Sequence, residues 1–352
     1  MKSYIFILTF FSGGGTEKVF ENVTKVINEK IEGAKIYLFV VNGFNSELYP
    51  PENFVNVINS KTELKKIVKS TKDKIVINFS GDWKSAFVSR QISKEYISWV
   101  HQNPLTMKTA RTAFINFHLL KKSKKIVCVC KEQKEILQKE FGFKNSIEVI
   151  YNSVDFEKIK KLSIVPLENV DFDYILMVAR LDFNSKDFFT VIKSYCLLPL
   201  ELQKKYKLVF LGNGPDEQKI VDYIQNFVSE SLKKNIILAG FDKNPYRWLK
   251  NASLNILSSK TEGFGVSIIE GMSLECPEIL TNYKTGSKEV SENGRNAALV
   301  PIGDYKAMKD AIEKLLTDEN YKNEILKNSS DFVKQFYQSE VEKNLYNFFM
   351  HF

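Results

Sequence analysis

Two glutamates separated by seven residues form the pattern with the clearest chemical meaning in this sequence. They are Glu262 and Glu270, within the segment TEGFGVSIIE. Gly263 and Gly265 lie between them, and glycine lets the backbone approach a ligand closely. The apolar spacing that follows predicts a helix, whose first N–H groups suit phosphate oxygens or sugar hydroxyls. The segment therefore predicts a ligand site, although two unrelated surface glutamates beside a flexible turn fit the spacing alone equally well.

Three further side chains follow predicted strands, where ligands bind in open α/β sheets. Arg180 and Lys186 come after the strand predicted over Tyr174–Val178, and both can offset the charge of a phosphate. An ordinary surface pair is the alternative. His101 ends the strand predicted over Ile97–Val100 and is a candidate site residue, although a lone histidine is more often structural.

Two motifs that could indicate a cofactor are discounted. Asp171 and Asp173 spell D-x-D, a metal–nucleotide motif, but they precede a predicted strand, whereas a ligand site should follow one. Gly212 and Gly214 lack the third glycine of a dinucleotide-binding fingerprint, because Glu217 stands in its place. We therefore expect no metal and no cofactor.

These residues need elements that hold them, and short apolar runs alternating with amphipathic stretches supply them. Runs that are apolar on both faces are typical of parallel strands covered by helices. The first series of predicted strands is Tyr4–Phe10, Ile36–Val41, Val55–Ile58, Ile75–Phe79, Ile97–Val100, Ile126–Cys130 and Ile147–Ile150. The second series is Tyr174–Val178, Leu208–Leu211, Ile236–Leu238, Leu254–Leu257 and Ile279–Thr281. Two series predict two Rossmann-like, doubly wound α/β domains, over residues 1–165 and 166–335, with 336–352 a C-terminal helix that packs back on the first domain.

Composition narrows the class of protein. The 352 residues are 44% hydrophobic and 26% charged, as expected of a globular protein. The net charge of +8 is uneven, because residues 1–165 carry 27 Lys and Arg against 16 Asp and Glu. Nucleic acid and an anionic membrane are the two standard partners of such a basic half, and no nucleic-acid motif accompanies the charge. Without a recognisable signal peptide or a CxxC motif, we expect a cytoplasmic protein with reduced cysteines.

One basic segment could contact a membrane. Residues 105–125 have a helical pattern whose flanks and end carry Lys121, Lys122, Lys124 and Lys125. Docking to anionic lipid on the inner face of the cell membrane and an ordinary amphipathic helix with a solvated basic end fit about equally well.

Several segments together resemble the retaining glycosyltransferases of the GT-B fold, family 4. The Glu262–Glu270 segment is similar to that family's E-x7-E motif, Val178–Leu181 with Lys186 to its diphosphate site, and Gly212–Pro215 to its G-x-G-P turn. Ser12–Glu17 resembles the family's S-G-G-x-E loop, and Tyr283–Val290 its G-x-x-E element. The likeness covers most of 1–20 and nearly all of 175–303. Ala179 departs from the usual glycine there.

The resemblance implies two domains facing a cleft and a set of roles. Arg180, Lys186 and the loop containing Gly14 and Gly15 would stabilise the donor diphosphate. Glu270 would accept the ribose hydroxyls, and His101 would contact the donor sugar. The sugar would be oriented by Glu262 with the backbone of Gly263, Phe264 and Gly265, and Gly212 would line the donor site.

The implied reaction moves a hexose or N-acetylhexosamine, with retained configuration, from a UDP-sugar or a GDP-sugar. The acceptor would be a glycan or lipid-linked saccharide in cell-surface polysaccharide or lipopolysaccharide synthesis. The remaining alternatives are a sugar-nucleotide epimerase of the same fold, an inverting enzyme with His101 as base, and a non-catalytic membrane-docking protein.

Overall fold

The computed structural model of this chain describes residues 2–11, 15–44, 50–109 and 112–352. Two compact units make up the chain: unit 1 is Met1–Ser153 with Gln338–Phe352, and unit 2 is Val154–Tyr337. The sequence places the domain boundaries after residues 165 and 335, whereas the units divide after Ser153 and Tyr337. The helix Phe156–Ser163 therefore belongs to unit 2.

Unit 1 contains a seven-stranded sheet in which every pair of neighbouring strands is parallel. Its strands are β1 Ser3–Phe11, β2 Lys35–Phe44, β3 Val55–Ile58, β4 Lys74–Asn78, β5 Ile97–Val100, β6 Lys125–Cys128 and β7 Ser146–Val149. Its helices are α1 Gly15–Lys30, α2 Lys61–Ser70, α3 Trp83–Ile92, α4 Pro104–Thr109, α5 Ala113–Lys121, α6 Lys131–Lys139 and the C-terminal helix Gln338–Met350. The strand order is β3-β2-β1-β4-β5-β6-β7, so the direction of winding reverses between β1 and β4.

The C-terminal helix Gln338–Met350 completes the core of unit 1. Phe349 packs edge-on against Tyr4 with ring centroids 5.3 Å apart, and Phe348 approaches Trp99 at 6.4 Å. The ammonium of Lys2 donates to the Phe349 carbonyl over 3.1 Å. Because Tyr4, Trp99 and Phe349 are all at most 1% exposed, the last helix of the chain and its first strand share one buried layer.

Unit 2 contains a six-stranded parallel sheet. Its strands are β8 Asp173–Val178, β9 Tyr206–Leu211, β10 Ile236–Gly240, β11 Leu254–Leu257, β12 Glu278–Thr281 and β13 Ala298–Val300. Its helices are α7 Phe156–Ser163, α8 Phe188–Cys196, α9 Leu200–Lys205, α10 Glu217–Phe227, α11 Glu230–Lys233, α12 Tyr246–Asn251, α13 Val266–Ser273, α14 Ser287–Val290, α15 Tyr305–Thr317 and α16 Glu319–Val333, with a 3₁₀ turn at Lys334–Phe336. The C-terminal helix of unit 1 is accordingly α17.

The strand order of unit 2 is β10-β9-β8-β11-β12-β13. This is the order of the dinucleotide-binding Rossmann sheet, and its switch point lies between β8 and β11, where a crevice forms at the carboxyl ends of the strands. Two doubly wound parallel sheets confirm the predicted fold class.

One predicted element is wrong. The pattern over 105–125 predicts a single helix, but the structure has two short ones, α4 and α5, and Lys125 already begins β6. Within α5, Leu119 and Leu120 are buried, whereas Phe114 is 84% exposed. Lys124 and Lys125 therefore do not extend a helical surface.

Candidate functional site

The loops that follow β8 and β11 meet at the switch point of unit 2. Lys186 and Ser259 form an isolated antiparallel bridge. On either side of it, the Asp187 amide donates to the Ser258 carbonyl over 2.9 Å, and the Lys260 amide donates to the Ser185 carbonyl over 2.8 Å. The two predicted ligand-binding segments are thus joined through their main chains.

Lys186 and Glu262 form an ion pair inside this junction. The Lys186 ammonium contacts Glu262 Oε1, and their side chains are only 12% and 19% exposed. Ser259 joins both, because it accepts from the ammonium at 3.2 Å and donates to Glu262 Oε1 at 2.6 Å. Lys186 was predicted to bind a phosphate and Glu262 to bind a sugar. In the structure, these two residues with different predicted ligands neutralise each other's charge.

Ser259 is itself held firmly by the next strand. Its amide donates to Thr281 Oγ1 over 2.8 Å, and its carbonyl accepts from the same hydroxyl at 2.6 Å. Ser259 and Thr281 are fully buried. The ion pair is therefore mounted on the ends of β11 and β12 rather than on a solvated loop.

Arg180 lies just after β8 and is exposed. Among the described residues, no carboxylate pairs with its guanidinium, which leaves the group available to an anion. The loop that carries it packs against the turn after β9, where the Leu181 amide donates to the Asn213 carbonyl over 2.9 Å.

Glycine is required at 212 and 214 by this packing of loop on loop. Gly212 has φ 145°, and a Cβ there would lie 2.0 Å from the Ala179 carbonyl oxygen. A Cβ on Gly214 would lie 2.3 Å from the Leu181 carbonyl oxygen. These glycines therefore allow two backbone segments to approach each other closely, and contact of Gly212 with a donor remains a prediction.

Helix α13 carries the second glutamate. It begins after Gly265, whose φ of 90° favours glycine and whose added Cβ would lie 2.3 Å from the Tyr283 hydroxyl. Glu270, on the first two turns, is half-buried, and its Oε1 accepts from the Tyr246 hydroxyl at 3.1 Å. Gly263 is also half-buried, whereas Phe264 is 2% exposed and packs in the core, with its ring centroid 5.7 Å from that of Phe336.

A buried carboxyl supports α13 from below, and sequence reasoning missed it. Glu278 is completely buried at the start of β12; its Oε2 accepts from Asn255 Nδ2 at 2.8 Å, and its Oε1 faces Gly271 of α13. Burial raises the pKa of Glu278 well above its ordinary value, and the charge of Glu270 raises it further. The signal was a glutamate opening a strand whose next three residues, Ile279–Thr281, are apolar or uncharged.

In unit 1, His101 follows β5 and stacks parallel to Trp99 with ring centroids 6.2 Å apart. Burial lowers the pKa of His101 to about 3, a shift opposed by a hydrogen bond to the Phe79 backbone. Its Nε2 is buried and has no partner among the described residues, so the hydrogen bond to Phe79 belongs to Nδ1. At neutral pH the ring is uncharged, with a proton on Nδ1 and a bare acceptor at Nε2.

The glycine loop near the N-terminus is only partly described. Gly15 is the first residue of α1, and no described atom lies within 4 Å of where its Cβ would be. Gly14 lies outside the described residues, so its predicted contact with a diphosphate stays a prediction.

No metal centre was predicted, and the described ranges contain no group of three or more His, Cys, Asp or Glu placed to hold an ion. Asp171 and Asp173 lie at the amino end of β8, the edge of the sheet opposite to Arg180 and Lys186. The D-x-D spelling is therefore separated from the candidate site by the length of a strand.

The four lysines predicted to contact a membrane divide into two pairs. Lys124 pairs with Glu95 at 2.7 Å, and Lys125 pairs with Glu148 at 2.8 Å. Both ammonium groups lie over the ring of Phe352, which continues from α17. Lys121 and Lys122 are exposed at the end of α5. None of the helices in the described ranges is long and apolar enough to span a membrane.

Comparison with known proteins assigns most of unit 2 to a family. Residues 158–332 match the family described as Glycosyl transferases group 1. A glycosyltransferase of Methanocaldococcus jannaschii is 28% identical over 287 residues, covering 74% of this chain and 67% of the relative. An N-acetylgalactosaminyltransferase of Campylobacter jejuni, which by its name acts on a diphospho-undecaprenol-linked saccharide, is 28% identical over 191 residues, covering 53% of this chain and 50% of the relative. The chain thus spans between half and two thirds of the length of these relatives.

Solved structures share the fold over nearly the whole chain. The structure of Anabaena HepE in complex with UDP has a TM-score of 0.80 at 16% identity and covers 100% of both chains. The lipopolysaccharide outer core galactosyltransferase WaaB has a TM-score of 0.74 at 20% identity and covers 99% of this chain and 100% of its own.

The chain therefore carries a glycosyltransferase domain of the group 1 family over residues 158–332, which confirms the predicted resemblance for its second half. Arg180, Lys186, Glu262 and Glu270 all lie within it.

Proposed function

We propose that this protein is a retaining glycosyltransferase that moves a hexose or N-acetylhexosamine from a UDP-sugar to a glycan or lipid-linked saccharide. The product would serve cell-surface polysaccharide or lipopolysaccharide synthesis. Relatives named for lipid-linked saccharides and for capsular polysaccharide support the class of acceptor. A structural neighbour bound to UDP-glucose supports the class of donor.

One observation carries the proposal. Within a group 1 domain, two cations and the Glu262 carboxylate lie in the loops that follow β8 and β11, at the switch point where a doubly wound sheet binds its ligand. The helix α13 starts at the same edge, and its first N–H groups add a positive dipole end.

The expected chemistry follows from the charges. Arg180, Lys186 and the start of α13 offset the charge that develops on the leaving diphosphate. Such stabilisation by preorganised groups is usually the largest single contribution to catalysis. The acceptor hydroxyl attacks the anomeric carbon on the face from which the diphosphate leaves. The carbon–oxygen bond to the diphosphate breaks, and the hydroxyl proton passes to the departing phosphate oxygen. Glu270 accepts the ribose hydroxyls, and Glu262 orients the sugar.

Donor binding then requires the Lys186–Glu262 pair to open. The ammonium turns from the carboxylate to a phosphate oxygen, and the freed carboxylate accepts a sugar hydroxyl. The ammonium then contacts a charged phosphate and the carboxylate contacts a neutral hydroxyl, so the exchange ties binding of the sugar to binding of the phosphate.

His101 fits a binding role better than that of a base. A general base works best when its pKa lies near the working pH, and burial lowers the pKa of His101 to about 3. Its Nε2, which has no partner among the described residues, can instead accept a hydrogen bond from a hydroxyl group of the donor sugar. This disfavours the inverting alternative, which would need His101 to remove a proton.

The test is a panel of UDP-sugars and GDP-sugars, scored by thermal stabilisation and then by nucleotide release with saccharide acceptors. A donor at 100 times its Kd stabilises the fold by about 2.7 kcal/mol. We expect one UDP-sugar to stabilise the protein and to release UDP only with an acceptor. Lys186→Ala should slow release about 10²–10³-fold, and Lys193→Ala, which removes an exposed charge on α8, should leave it unchanged. Conversion of the free nucleotide sugar without release would indicate an epimerase, and no stabilisation by any donor would refute the proposal.

The proposal includes peripheral contact of unit 1 with an anionic bilayer. Phe114 is 84% exposed and Ile115 is 44% exposed on α5, and Lys121 and Lys122 follow at its end. Apolar side chains beside exposed lysines suit the interface of an anionic membrane, where each lysine contributes about 1 kcal/mol.

The structure also supplies a matched control for this contact. Lys121→Gln with Lys122→Gln should weaken sedimentation with phosphatidylserine-containing vesicles at low salt. Lys124→Gln with Lys125→Gln removes the same charge from lysines already paired with carboxylates, and should change binding less. Equal binding to neutral and anionic vesicles would contradict the membrane contact.

A further inference from the structure

Thr285 has an unusual backbone conformation for its residue type. Its φ is +73°, and it is completely buried. Among the described residues with positive φ other than glycine, it alone is β-branched; the others are Asn169, Glu275, Glu292 and Asn293. A β-branched residue is a genuine outlier in the left-handed region, because its side chain crowds the backbone. Such conformations persist only where the surroundings impose them, and they cluster at functional sites.

The Thr285 hydroxyl reaches the loop that carries the first glutamate. Its Oγ1 lies 2.5 Å from the main-chain carbonyl oxygen of Glu262, and also 2.5 Å from that of Lys284. The Lys284 carbonyl is its own neighbour in the chain, whereas Glu262 is 23 residues away. The contact with Glu262 therefore links two separate segments.

The residues on both sides of Thr285 grip the same loop. The Tyr283 hydroxyl donates to the Phe264 carbonyl over 3.2 Å. A Cβ on Gly286, whose φ is 113°, would lie 2.8 Å from the Phe264 ring. The segment 283–286 thus contacts the loop 262–265 through the hydroxyls of Tyr283 and Thr285 and through the close approach of Gly286.

This grip acts on a glutamate whose side chain is held elsewhere. Lys186 and Ser259 hold the Glu262 carboxylate, and Thr285 holds its main-chain carbonyl. We propose that Thr285 is a positioning residue, whose strained backbone aims its hydroxyl at Glu262 and so fixes the direction from which that carboxylate meets the donor sugar. The role of the carboxylate rests on the proposed function, whereas the fixing of the loop does not.

Three variants separate the hydroxyl from the strain. Thr285→Gly removes both, Thr285→Ser keeps the hydroxyl, and Thr285→Val keeps the β-branched shape without the hydroxyl. If Thr285 does not position the loop, Thr285→Gly should be at least as stable as the parent and fully active, because glycine adopts positive φ without strain.

We expect instead that Thr285→Gly keeps or raises the melting temperature and lowers kcat/KM about tenfold, the upper range for one lost hydrogen bond. The loss should fall mainly on kcat, because the loop still binds the nucleotide through other residues. Thr285→Ser should restore most of the activity. Glu275→Gly relieves positive φ at an exposed position (φ 61°) and should leave kcat and KM unchanged.

Hydrogen exchange gives a readout that needs no turnover. In Thr285→Gly, the amides of Gly263, Phe264 and Gly265 should exchange faster than in the parent and in Thr285→Ser. Parent-like exchange and parent-like kcat in folded Thr285→Gly would overturn the proposal. Faster exchange in a protein that turns over no nucleotide sugar would uphold the positioning of the loop and reject the proposed function.

Discussion

The Lys186–Glu262 pair permits a double-mutant cycle that measures how strongly the two site residues depend on each other. Lys186→Met keeps the apolar stem and removes the charge, and Glu262→Gln keeps the shape and removes the other charge. Each single change leaves one charge without its ionic partner, at side-chain exposures of 12% and 19%. Ser259 still contacts whichever charge remains.

The magnitude follows from the burial and the contacts. Removing one partner of a fully buried pair costs about 3–5 kcal/mol, and losing a hydrogen bond to a charged group costs about 1.5–3 kcal/mol. Because both side chains are slightly exposed and Ser259 remains, we expect about 2 kcal/mol for each single variant, in the lower of those ranges. For a domain the size of unit 2 this lowers Tm by about 4–8 °C. The double variant leaves no unpaired charge, so it should be no less stable than either single variant.

Activity should not recover with stability. In the proposed function the lysine also binds the diphosphate, and loss of one preorganised donor costs about 10²–10³ in kcat. The Lys322–Glu319 pair in the same unit is more exposed than the site pair, with side chains 27% and 68% exposed and ammonium and carboxylate 2.6 Å apart. It is the control and should show a coupling energy below about 1 kcal/mol. The assays are thermal unfolding and nucleotide release for all four members of each cycle. A coupling energy no larger than that of the control would refute the reasoning, because the site pair would then behave as an ordinary surface contact.

Further predictions concern the other site residues. Glu270→Ala should weaken UDP binding by about 1.5–3 kcal/mol, measured by titration calorimetry, since a hydrogen bond to a charged group is lost; unchanged affinity would reject its contact with ribose. Arg180→Ala should lower kcat about 10²–10³-fold, while activity in the parent and in Asp171→Asn should persist in EDTA; loss in EDTA with rescue by Mn²⁺ would reopen the D-x-D interpretation. Glu278 keeps its proton in the folded protein after the unfolded chain has lost it, so stability present at low pH should decline as pH rises above about 4.3, by at most about 1.4 kcal/mol per pH unit. In Glu278→Gln, the stability measured by denaturant unfolding should no longer decline over this pH range. An equal decline in the parent and in the variant would show that Glu278 does not cause it. Gly271→Ala should destabilise the fold by about 1–3 kcal/mol or more, because its Cβ would lie 1.7 Å from Glu278 Oε1; a stability equal to the parent's would show that the carboxyl can move aside.

The fold could be predicted because buried parallel strands leave continuous apolar runs. The strands predicted over Ile97–Val100 and Leu254–Leu257 have those bounds in the structure. The last strand, Ala298–Val300, was not predicted, since three residues that begin with an alanine carry too little pattern. The helix predicted over 105–125 was wrong because apolar periodicity alone does not show that the segment divides into two helices and the start of a strand.

The candidate site was predictable in its residue types and not in its contacts. Strand ends place Arg180, Lys186 and Glu262 at one edge of a sheet, which sequence order and the switch-point rule suffice to predict. The sequence does not show that Lys186 and Glu262 are partners, because they are 76 residues apart. Thr285 gives no signal either, since a β-branched residue is not expected at positive φ.

The roles of glycine were also only half predictable. Gly212 was predicted by resemblance to line the donor site, but the sequence does not show which neighbour it lies against. In the structure that neighbour is the Ala179 carbonyl, in the loop that presents Arg180. A substitution at Gly212 would therefore disturb a ligand through the shape of this loop as well as through any direct contact.

The sharing of unit 1 between both ends of the chain has a consequence for its synthesis. Unit 2 is continuous, so all of it is translated before residues 338–352 are made. At about 5–20 residues per second, unit 2 is translated over roughly ten to forty seconds. During this time β1 and Trp99 lack their contacts with the aromatic side chains of the C-terminal helix. The nascent chain must therefore keep an apolar layer of its first-made half protected while its middle folds. A stop codon shortly after Tyr337 would leave unit 2 whole and damage the part of the protein that was made first.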